Sequence, residues 1–439
     1  DGASAIRFEN AQRKKTADIV DIAGSIGAIF PTIGDGSARG SQPSFERLFY
    51  QCTNLGSDEN FQLPSQLFAG VHGAPIENMF KESFYKCNSM YGGIPEDLFA
   101  GISGAPAPGM FWGTFAEAIS DFPISGNLFA GIRGAPAPDM FRETFASLMF
   151  DQPGGIPDNL FAGIRGVPAA RMFMNTFASS DFNGSIPESL FAGISGAPAE
   201  SMFDGTFSGC RKLSGSIPGT LFAGVRGVPA KRMFAETFGL SVLVPNVTGN
   251  VNMTGEIPED LFSGIRGTPA EGMFANTFTG ASGLSGQIPS GLFSGIVGAP
   301  APYMFSGTFG GCYGLGGEIP SGLFAGISGV PAERMFYQTF ASASGLTGIG
   351  DGLFGDLSGP AASNMFSYTF ETSQMISSAP QTFMTGLSAR TTTGKFLYEI
   401  WPDATTDQVG SCYSYSQQNL DDWGNIPANW GGFTIESGQ

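Results

Sequence analysis

Apolar side chains recur along most of the chain in one fixed order. A Leu-Phe pair returns ten times, with successive leucines 31, 30, 32, 30, 31, 40, 31, 31 and 30 residues apart. Such self-similarity is the signature of a repeat architecture. We call each period of about 31 residues a copy. The ten leucines are Leu67, Leu98, Leu128, Leu160, Leu190, Leu221, Leu261, Leu292, Leu323 and Leu353.

Nine of the ten copies carry the motif Met-Phe-x-x-Thr-Phe, and in the first copy Ser83 stands in place of the threonine; we call this stretch the Met-Phe segment. Its apolar side chains are three and four positions apart, which predicts a short helical turn with one buried stripe. Gly-x-Pro precedes the motif, and proline is well suited to begin a helix. The stretch Leu-x-Gly-x-Ile-Pro, as at residues 213–218, predicts a short strand that ends at the proline. The methionines are Met79, Met110, Met140, Met172, Met202, Met233, Met273, Met304, Met335 and Met365.

A single copy of this kind cannot bury its own apolar face, so neighbouring copies must stack. The sequence therefore predicts an α/β repeat solenoid of leucine-rich-repeat type, with short parallel strands, short helical turns and about ten copies. If each copy forms one solenoid turn, strands stack at roughly 4.8 Å and the core is about 50 Å long. Two structural turns per copy would double that length, and the pattern alone leaves both arrangements open.

Three regions depart from the repeat. Residues 1–42 lack it and are predicted to form an N-terminal cap, the solenoid spans residues 43–385, and residues 386–439 form an aromatic-rich C-terminal cap. In the last region Trp401, Trp423 and Trp430 are candidates for cap packing, for assembly or for a sugar-stacking platform. An insertion at about 241–251 marks a face that tolerates loops, and Asn246 and Asn252 begin glycosylation sequons there.

Composition narrows the class of protein. Disordered chains lack apolar area, whereas this one has 41 phenylalanines and is 42% hydrophobic, so it can bury a large core. A net charge of -17 argues against a nucleic-acid partner, which needs a clustered basic face. No run of 18 apolar residues is present, so we expect no membrane span. We expect an extracellular or cell-surface location, with any leader removed.

The motifs of common enzyme classes are missing from the sequence. There is no nucleophile-elbow, phosphate-loop, zinc-protease or EF-hand spacing. The single histidine, His72, has no ligand spacing around it and is interpreted as a surface residue, which removes the usual general base. We therefore expect no enzyme, no cofactor and no metal.

Two positions of the repeat lead to specific hypotheses when they are followed from copy to copy. We call such a set of equivalent positions a column. Cys52 and Cys87 occupy a small-residue position in adjacent copies, where they form either buried thiols or a disulfide. A second column carries four arginines, and acidic residues follow Ile-Pro. These charges form either a ladder that recognises a partner or a solvated face with weak ion pairs. The arginines are Arg133, Arg165, Arg226 and Arg266.

The full motif Met-Phe-x-x-Thr-Phe-x-x-Cys-x-x-Leu-x-Gly-x-Ile-Pro is complete at residues 202–218 and 304–320. It resembles the leucine-rich repeats of BspA-like bacterial surface proteins, and the resemblance covers about residues 44–385. It implies a right-handed solenoid on the cell exterior, attachment to host or matrix proteins and to other bacteria, and no catalytic residues. The period is longer than in the common members of that family, and the Gly-x-Pro-Ala stretch is an addition.

Several functions fit this pattern. The first is a non-catalytic surface protein that adheres to a protein or glycan on a cell or matrix. The second is a structural subunit that binds copies of itself and forms a fibre or sheath. A phage receptor-binding protein would share the same features, and a polysaccharide-active enzyme comes last because no copy stands out as catalytic.

Overall fold

The structure is a computed structural model that describes residues 24–26, 43–55, 63–88, 90, 92–240, 252–350, 353, 356–357, 362–365 and 369. The chain divides into two compact units, Asp1–Val225 and Arg226–Gln439, and each is treated by itself. Most of both predicted caps and the insertion at 241–251 lie outside the described residues. So do the candidates Asn246, Trp401, Trp423 and Trp430.

All the strands are short and pair in parallel. In the first unit β1 (Ile119–Ser120) pairs with β2 (Met149–Phe150). In the second unit β3 (Gly317–Ile319) pairs with β5 (Leu346–Ile349), and β4 (Ser328–Gly329) pairs with β6 (Asp356–Leu357). The strand predicted before Ile-Pro is present in one copy, as β3. In the copy at residues 213–218 the stretch forms only a single bridge, from Leu213 to Gly184.

Single parallel bridges continue this pairing between the strands. One series, which we call the Gly–Ile line, joins the glycine of Ile-x-Gly or Val-x-Gly in one copy to the isoleucine or valine of the same motif in the next copy. Its bridges are Gly73↔Ile102, Gly104↔Ile132, Gly134↔Ile164, Gly166↔Ile194 and Gly196↔Val225 in the first unit, and Gly227↔Ile265, Gly267↔Ile296 and Gly298↔Ile327 in the second. Each of these bridges connects one copy to the next copy along the chain. The pairing step is therefore one whole copy. This is the step expected if each copy forms one turn and not two.

The Met-Phe segments form overlapping turns, and the prediction of a helix there is wrong for the described copies. Alternate N–H groups donate within the segment, such as Thr144 N to Phe141 O at 3.2 Å. The N–H groups between them donate to the next copy, such as Phe145 N to Thr176 O at 2.9 Å. In an α-helix each N–H beyond the first turn donates to the carbonyl four residues earlier in the same segment and is not available to a neighbour. The spacing of three and four is real, but the neighbouring copy takes half of the donors.

A left-handed residue at every fourth position makes this pattern possible. In one copy Asp139, Glu143 and Ser147 have φ angles of 55°, 55° and 53°. For residues other than glycine this conformation costs on the order of 1 kcal/mol or more each. In another copy two of the three corresponding positions, Gly205 and Gly209, are glycines with φ angles of 63° and 67°. The donated hydrogen bonds between copies offset the cost where a side chain is present.

The core consists of stacked phenylalanine columns. In the first unit Phe141 stacks on Phe111 at 5.7 Å and on Phe173 at 5.8 Å between ring centroids. Phenylalanines of the Leu-Phe pair fit between them, with Phe129 at 4.5 Å from Phe111 and 4.9 Å from Phe141. In the second unit Phe274 and Phe305 stack at 5.8 Å in the same way. Burial of these large rings is the main stabilising contribution of each copy.

The threonine of the Met-Phe segment is a buried hydrogen-bond donor that sequence reasoning overlooked. Thr176 is 0% exposed, and its Oγ1 donates to Phe141 O of the preceding copy at 2.9 Å. Thr339 donates to Phe305 O at 2.9 Å in the second unit. A buried hydroxyl needs a partner, and here the partner belongs to the neighbouring copy. The recurrence of threonine between two apolar positions was the signal available in the sequence.

Candidate interaction surfaces

Each residue of the arginine column directly follows a bridging isoleucine or valine of the Gly–Ile line. Ile132 and Ile164 are 1% exposed, whereas the residues that follow them, Arg133 and Arg165, are exposed. Successive side chains on a strand point to opposite faces, so burial of the isoleucine turns the next side chain outward. The core therefore decides that this column faces solvent, whichever residue occupies it.

Local contacts fix the orientation of both arginines. Arg133 Nε donates to Ala130 O at 3.2 Å, and Arg165 Nε donates to Ala162 O at 3.2 Å. Their aliphatic stems lie over the backbone of the next copy, because a Cβ added at Gly163 would be 3.1 Å from Arg133 Cγ. The corresponding distance from Gly193 to Arg165 Cγ is 3.0 Å. Glycine at those positions leaves room for the stems.

Arg133 and Arg165 line one half-open cavity of about 550 Å³. The amide side chains of Asn127 and Asn159, both exposed, also line it. Neither arginine forms an ion pair with any acidic residue in the described part of the chain. The cavity therefore presents two guanidinium groups and two amides to solvent.

The acidic residues after Ile-Pro make other contacts. Glu96 accepts hydrogen bonds from Ser125 Oγ at 3.1 Å and from Asn127 Nδ2 at 3.2 Å. Glu188 accepts from Thr220 Oγ1 at 2.7 Å. These contacts join neighbouring copies through polar side chains. A ladder of ion pairs between the acidic column and Arg133 or Arg165 is not formed among the described residues.

The other predicted surface residues are placed only in part. Arg226, Arg266, Asn252 and His72 are all exposed. Arg266 belongs to the second unit and repeats the local contact, with its Nε donating to Ser263 O at 3.2 Å. Asn246, the other sequon residue, lies outside the described residues.

A second polar surface, which the sequence did not predict, covers the outer side of the Met-Phe segments in the first unit. Trp112 lies between Lys81, 4.0 Å from its ring centroid, and Arg142, at 4.4 Å. Its indole N–H donates to Glu143 at 3.3 Å. Because cations of the two neighbouring copies cover the ring, we interpret this cluster as a link between copies.

Charge pairs accompany that cluster. Arg171 forms a two-pronged contact with Asp139, each nitrogen 2.8 Å from an oxygen. The contact raises the pKa of Arg171, mainly through the hydrogen bond to Asp139. Lys86 pairs with Glu117 at 3.0 Å. These half-buried pairs on the surface connect successive copies. Ion pairs near the surface contribute little each to stability.

The cysteine column is a row of buried thiols. Cys52 and Cys87 are both 0% exposed thiols with no disulfide between them in the structure. Cys87 Sγ donates to Phe49 O at 3.3 Å, and burial raises its pKa well above the ordinary value. Burial also raises the pKa of Cys210 and of Cys312 to about 12. Thiols with such pKa values stay protonated and are poor nucleophiles.

One acid-lined groove is present in the second unit. It encloses about 1020 Å³ and is lined by Glu256, Glu259, Gln287, Glu318 and the prolines that follow Ile. Gln287 replaces a carboxylate in the middle of the column formed by Glu256 and Glu318. The groove differs in charge from the arginine-lined cavity of the first unit.

The described residues contain neither a candidate metal cluster nor a membrane-spanning helix. No group of three or more histidine, cysteine or acidic side chains suited to a metal ion occurs among them. Within the same residues, no helix has the length and apolar character needed to cross a bilayer.

Comparison with protein-family models gives no match for the chain, and comparison with curated proteins gives no significant relative.

Proposed function

We propose that the chain is a non-catalytic extracellular surface protein of leucine-rich-repeat type that adheres through an extended face built from the Gly–Ile line. In this proposal the copies stack as a right-handed solenoid, one turn per copy. The supporting contacts are the parallel bridges, each of which joins a copy to the next one. The BspA-like resemblance supports the cell-surface location and the absence of catalysis.

The observation that carries the proposal is the cavity between Arg133 and Arg165. Both guanidinium groups are exposed, oriented by backbone contacts and unpaired with described acidic residues. Arginine is enriched among residues that dominate binding energy, and exposed polar positions on a rigid scaffold are typical of recognition. A core column cannot vary in this way, whereas this column holds Ser103, Arg133, Arg165 and Ser195 over one scaffold.

The test is a surface-binding assay with the full chain. Purified protein is applied to immobilised bacterial cells, host-cell surfaces and extracellular-matrix preparations, and the bound fraction is measured by interferometry. We expect saturable binding to at least one surface, weakened in the Arg133→Gln/Arg165→Gln variant. Absence of saturable binding to every surface would contradict the proposal.

A structural subunit is the second candidate, and a row of exposed apolar side chains favours it. The residue before proline in Gly-x-Pro is exposed in both units, at 59% for Val167, 62% for Val228 and 57% for Val330. Exposed apolar rows of this kind mark contact surfaces between proteins. Light scattering of the native particle decides between the candidates. One species near 45.9 kDa favours adhesion, and large regular assemblies favour the subunit.

A further inference from the structure

We propose that the Arg133–Arg165 cavity binds the acidic groups of an anionic glycan, namely carboxylates or sulfates carried on a sugar chain. The inference rests on the proposed adhesive function and names the ligand class of that surface. It begins from two guanidinium groups that share one cavity of about 550 Å³ in a chain with a net charge of -17.

An oxyanion fits the donors that remain available. In each arginine, Nε donates to a backbone carbonyl of its own copy, at 3.2 Å for both residues. The terminal nitrogens of both guanidinium groups therefore carry N–H groups that form no hydrogen bond among the described residues. A guanidinium presents these groups in a planar fork that matches a carboxylate or sulfate, which makes charge-assisted hydrogen bonds short and strong.

The cavity is preset for such a ligand. The stems of Arg133 and Arg165 lie over Gly163 and Gly193, with closest approaches of 3.1 Å and 3.0 Å to an added Cβ. Because the backbone contact and the glycine surface both restrict the side chain, less rotamer freedom is lost on binding. The amides of Asn127 and Asn159 line the same cavity. The nitrogen of Asn127 already donates to Glu96 at 3.2 Å, whereas the amide of Asn159 offers a donor and an acceptor to sugar hydroxyls.

The backbone favours a glycan over an acidic peptide. An extended peptide commonly docks by adding a strand to unpaired backbone groups. Here Gly134 N donates to Gly163 O at 3.0 Å, and Arg165 N donates to Gly134 O at 2.8 Å. The backbone groups beside the cavity are thus already used between copies. A ligand must bind through side chains, which suits a chain of hydroxyls and acidic groups.

Calorimetric titration of the full chain with defined oligosaccharides tests the proposal. The probes are an oligogalacturonate for carboxylate, a heparin-derived oligosaccharide for sulfate, and a fully methyl-esterified oligogalacturonate as the neutral equivalent. We expect binding of at least one acidic probe and none of the neutral probe. The variant Arg133→Gln/Arg165→Gln should lose at least about tenfold in affinity, because two charge-assisted contacts are removed. Arg133→Lys/Arg165→Lys should lose several-fold, because charge remains without the fork.

The matched control is Lys212→Gln/Lys231→Gln. It changes the net charge by the same amount, but these exposed lysines already pair with Asp181 at 2.8 Å and Glu271 at 2.9 Å. We expect its affinity to stay within about twofold of the unmodified chain, since exposed pairs matter little. Circular dichroism of each variant verifies that the fold is retained.

Three results would overturn the inference. They are no binding of either acidic probe, an equal loss in the lysine control, and tighter binding of a polyglutamate peptide than of either glycan. Treatment of the target surface with glycan-degrading enzymes separates this inference from the proposed function. Adhesion that persists after treatment, without oligosaccharide binding, leaves the function standing and removes the glycan. Oligosaccharide binding without adhesion to any intact surface supports the glycan site and contradicts the proposed adhesive function.

Discussion

The Met-Phe segment and the Gly–Ile line both join one copy to the next, but by different means. In the Met-Phe segment the hydrogen bonds between copies run one way, as from Phe141 N to Met172 O at 3.0 Å. On the Gly–Ile line they run both ways, as from Gly134 N to Gly163 O and from Arg165 N to Gly134 O. The first region encloses methionine, threonine and phenylalanine. The second buries the isoleucine, which lies between a half-buried glycine and an exposed residue.

This difference separates buried positions, which determine stability, from exposed positions, which are free to vary in charge. Buried columns are nearly identical from copy to copy, since interior packing tolerates little change in volume. The exposed column on the Gly–Ile line holds serine in some copies and arginine in others. A ligand-binding surface can therefore change along the chain without disturbing the core beneath it.

The largest effect is expected in the phenylalanine column. Phe173 is 0% exposed and stacks on Phe141 at 5.8 Å and on Phe203 at 5.7 Å. Phe173→Ala should lower the free energy of unfolding by about 3–5 kcal/mol, because it removes buried area and leaves a cavity. Urea denaturation followed by circular dichroism measures the change. Phe122→Ala is the control, because Phe122 is 51% exposed. A loss below about 1 kcal/mol at Phe173 would contradict the assigned packing.

The second prediction separates two positions of the Gly–Ile line. A Cβ at Gly163 would be 2.2 Å from Ile132 O, so Gly163→Ala forces the backbones apart. We expect a loss of about 2 kcal/mol from that overpacking. Arg165→Ser, two residues later, should change stability by less than about 0.5 kcal/mol, since the side chain is exposed. Both losses are measured by thermal unfolding. Equal losses in the two variants would contradict the assignment of Gly163 as a closely packed position and Arg165 as an exposed one.

The third prediction concerns the buried thiols that follow the Met-Phe segment. The pKa of Cys210 and of Cys312 rises from 9.0 to about 12 on folding. Above the ordinary pKa the unfolded thiol ionises while the folded thiol stays protonated, so the stabilisation is complete below that pKa and is lost as pH rises toward the folded value. Each thiol should reduce stability by up to about 1.4 kcal/mol per pH unit in this window.

Urea denaturation at about pH 8 and about pH 10 measures the thiol effect. The variant Cys210→Ala/Cys312→Ala should show a shallower decline than the unmodified chain, whatever its stability at the lower pH. Parallel slopes for the two proteins would contradict the burial of these thiols.

The smallest effect is expected at a left-handed position. Ser179 has a φ angle of 56°, and the corresponding residue in the next copy is Gly209, with a φ angle of 67°. Ser179→Gly should stabilise by about 0.5–1 kcal/mol, because relief of backbone strain exceeds the added freedom of the unfolded chain. Gly209→Ser should destabilise by a similar amount. Shifts of the melting temperature in the same direction for both would refute the assigned backbone conformation.

The repeat made part of this architecture predictable. The spacing of Leu-Phe and Met-Phe identified the core columns, because a buried position demands an apolar side chain in every copy. The strand before Ile-Pro followed from its boundary proline and is present in one copy, as β3 (Gly317–Ile319). The arginine column could be identified as an exposed position with variable charge. The solenoid, its handedness, the cell-surface role and the BspA-like identity stay predictions.

Other features depend on contacts between copies and were not accessible from local pattern. Spacing of three and four is shared by helices and by the overlapping turns of the Met-Phe segment. The segment forms turns and not a helix because half of its N–H groups donate to the next copy. Likewise the cluster around Trp112 combines residues about 30 positions apart, with Lys81 and Arg142 on either side of the ring.

The sequence by itself determined which positions are buried, because the hydrophobic effect acts on side-chain type and the repeat displays that type in every copy. The tertiary structure alone decided how the backbone satisfies its hydrogen bonds and which exposed charges have partners. Arg171 meets Asp139, while Arg133 and Arg165 share a cavity without an acidic partner among the described residues. The physical reason is that hydrogen bonds and ion pairs require a definite distance and direction, which only the stacking of neighbouring copies supplies.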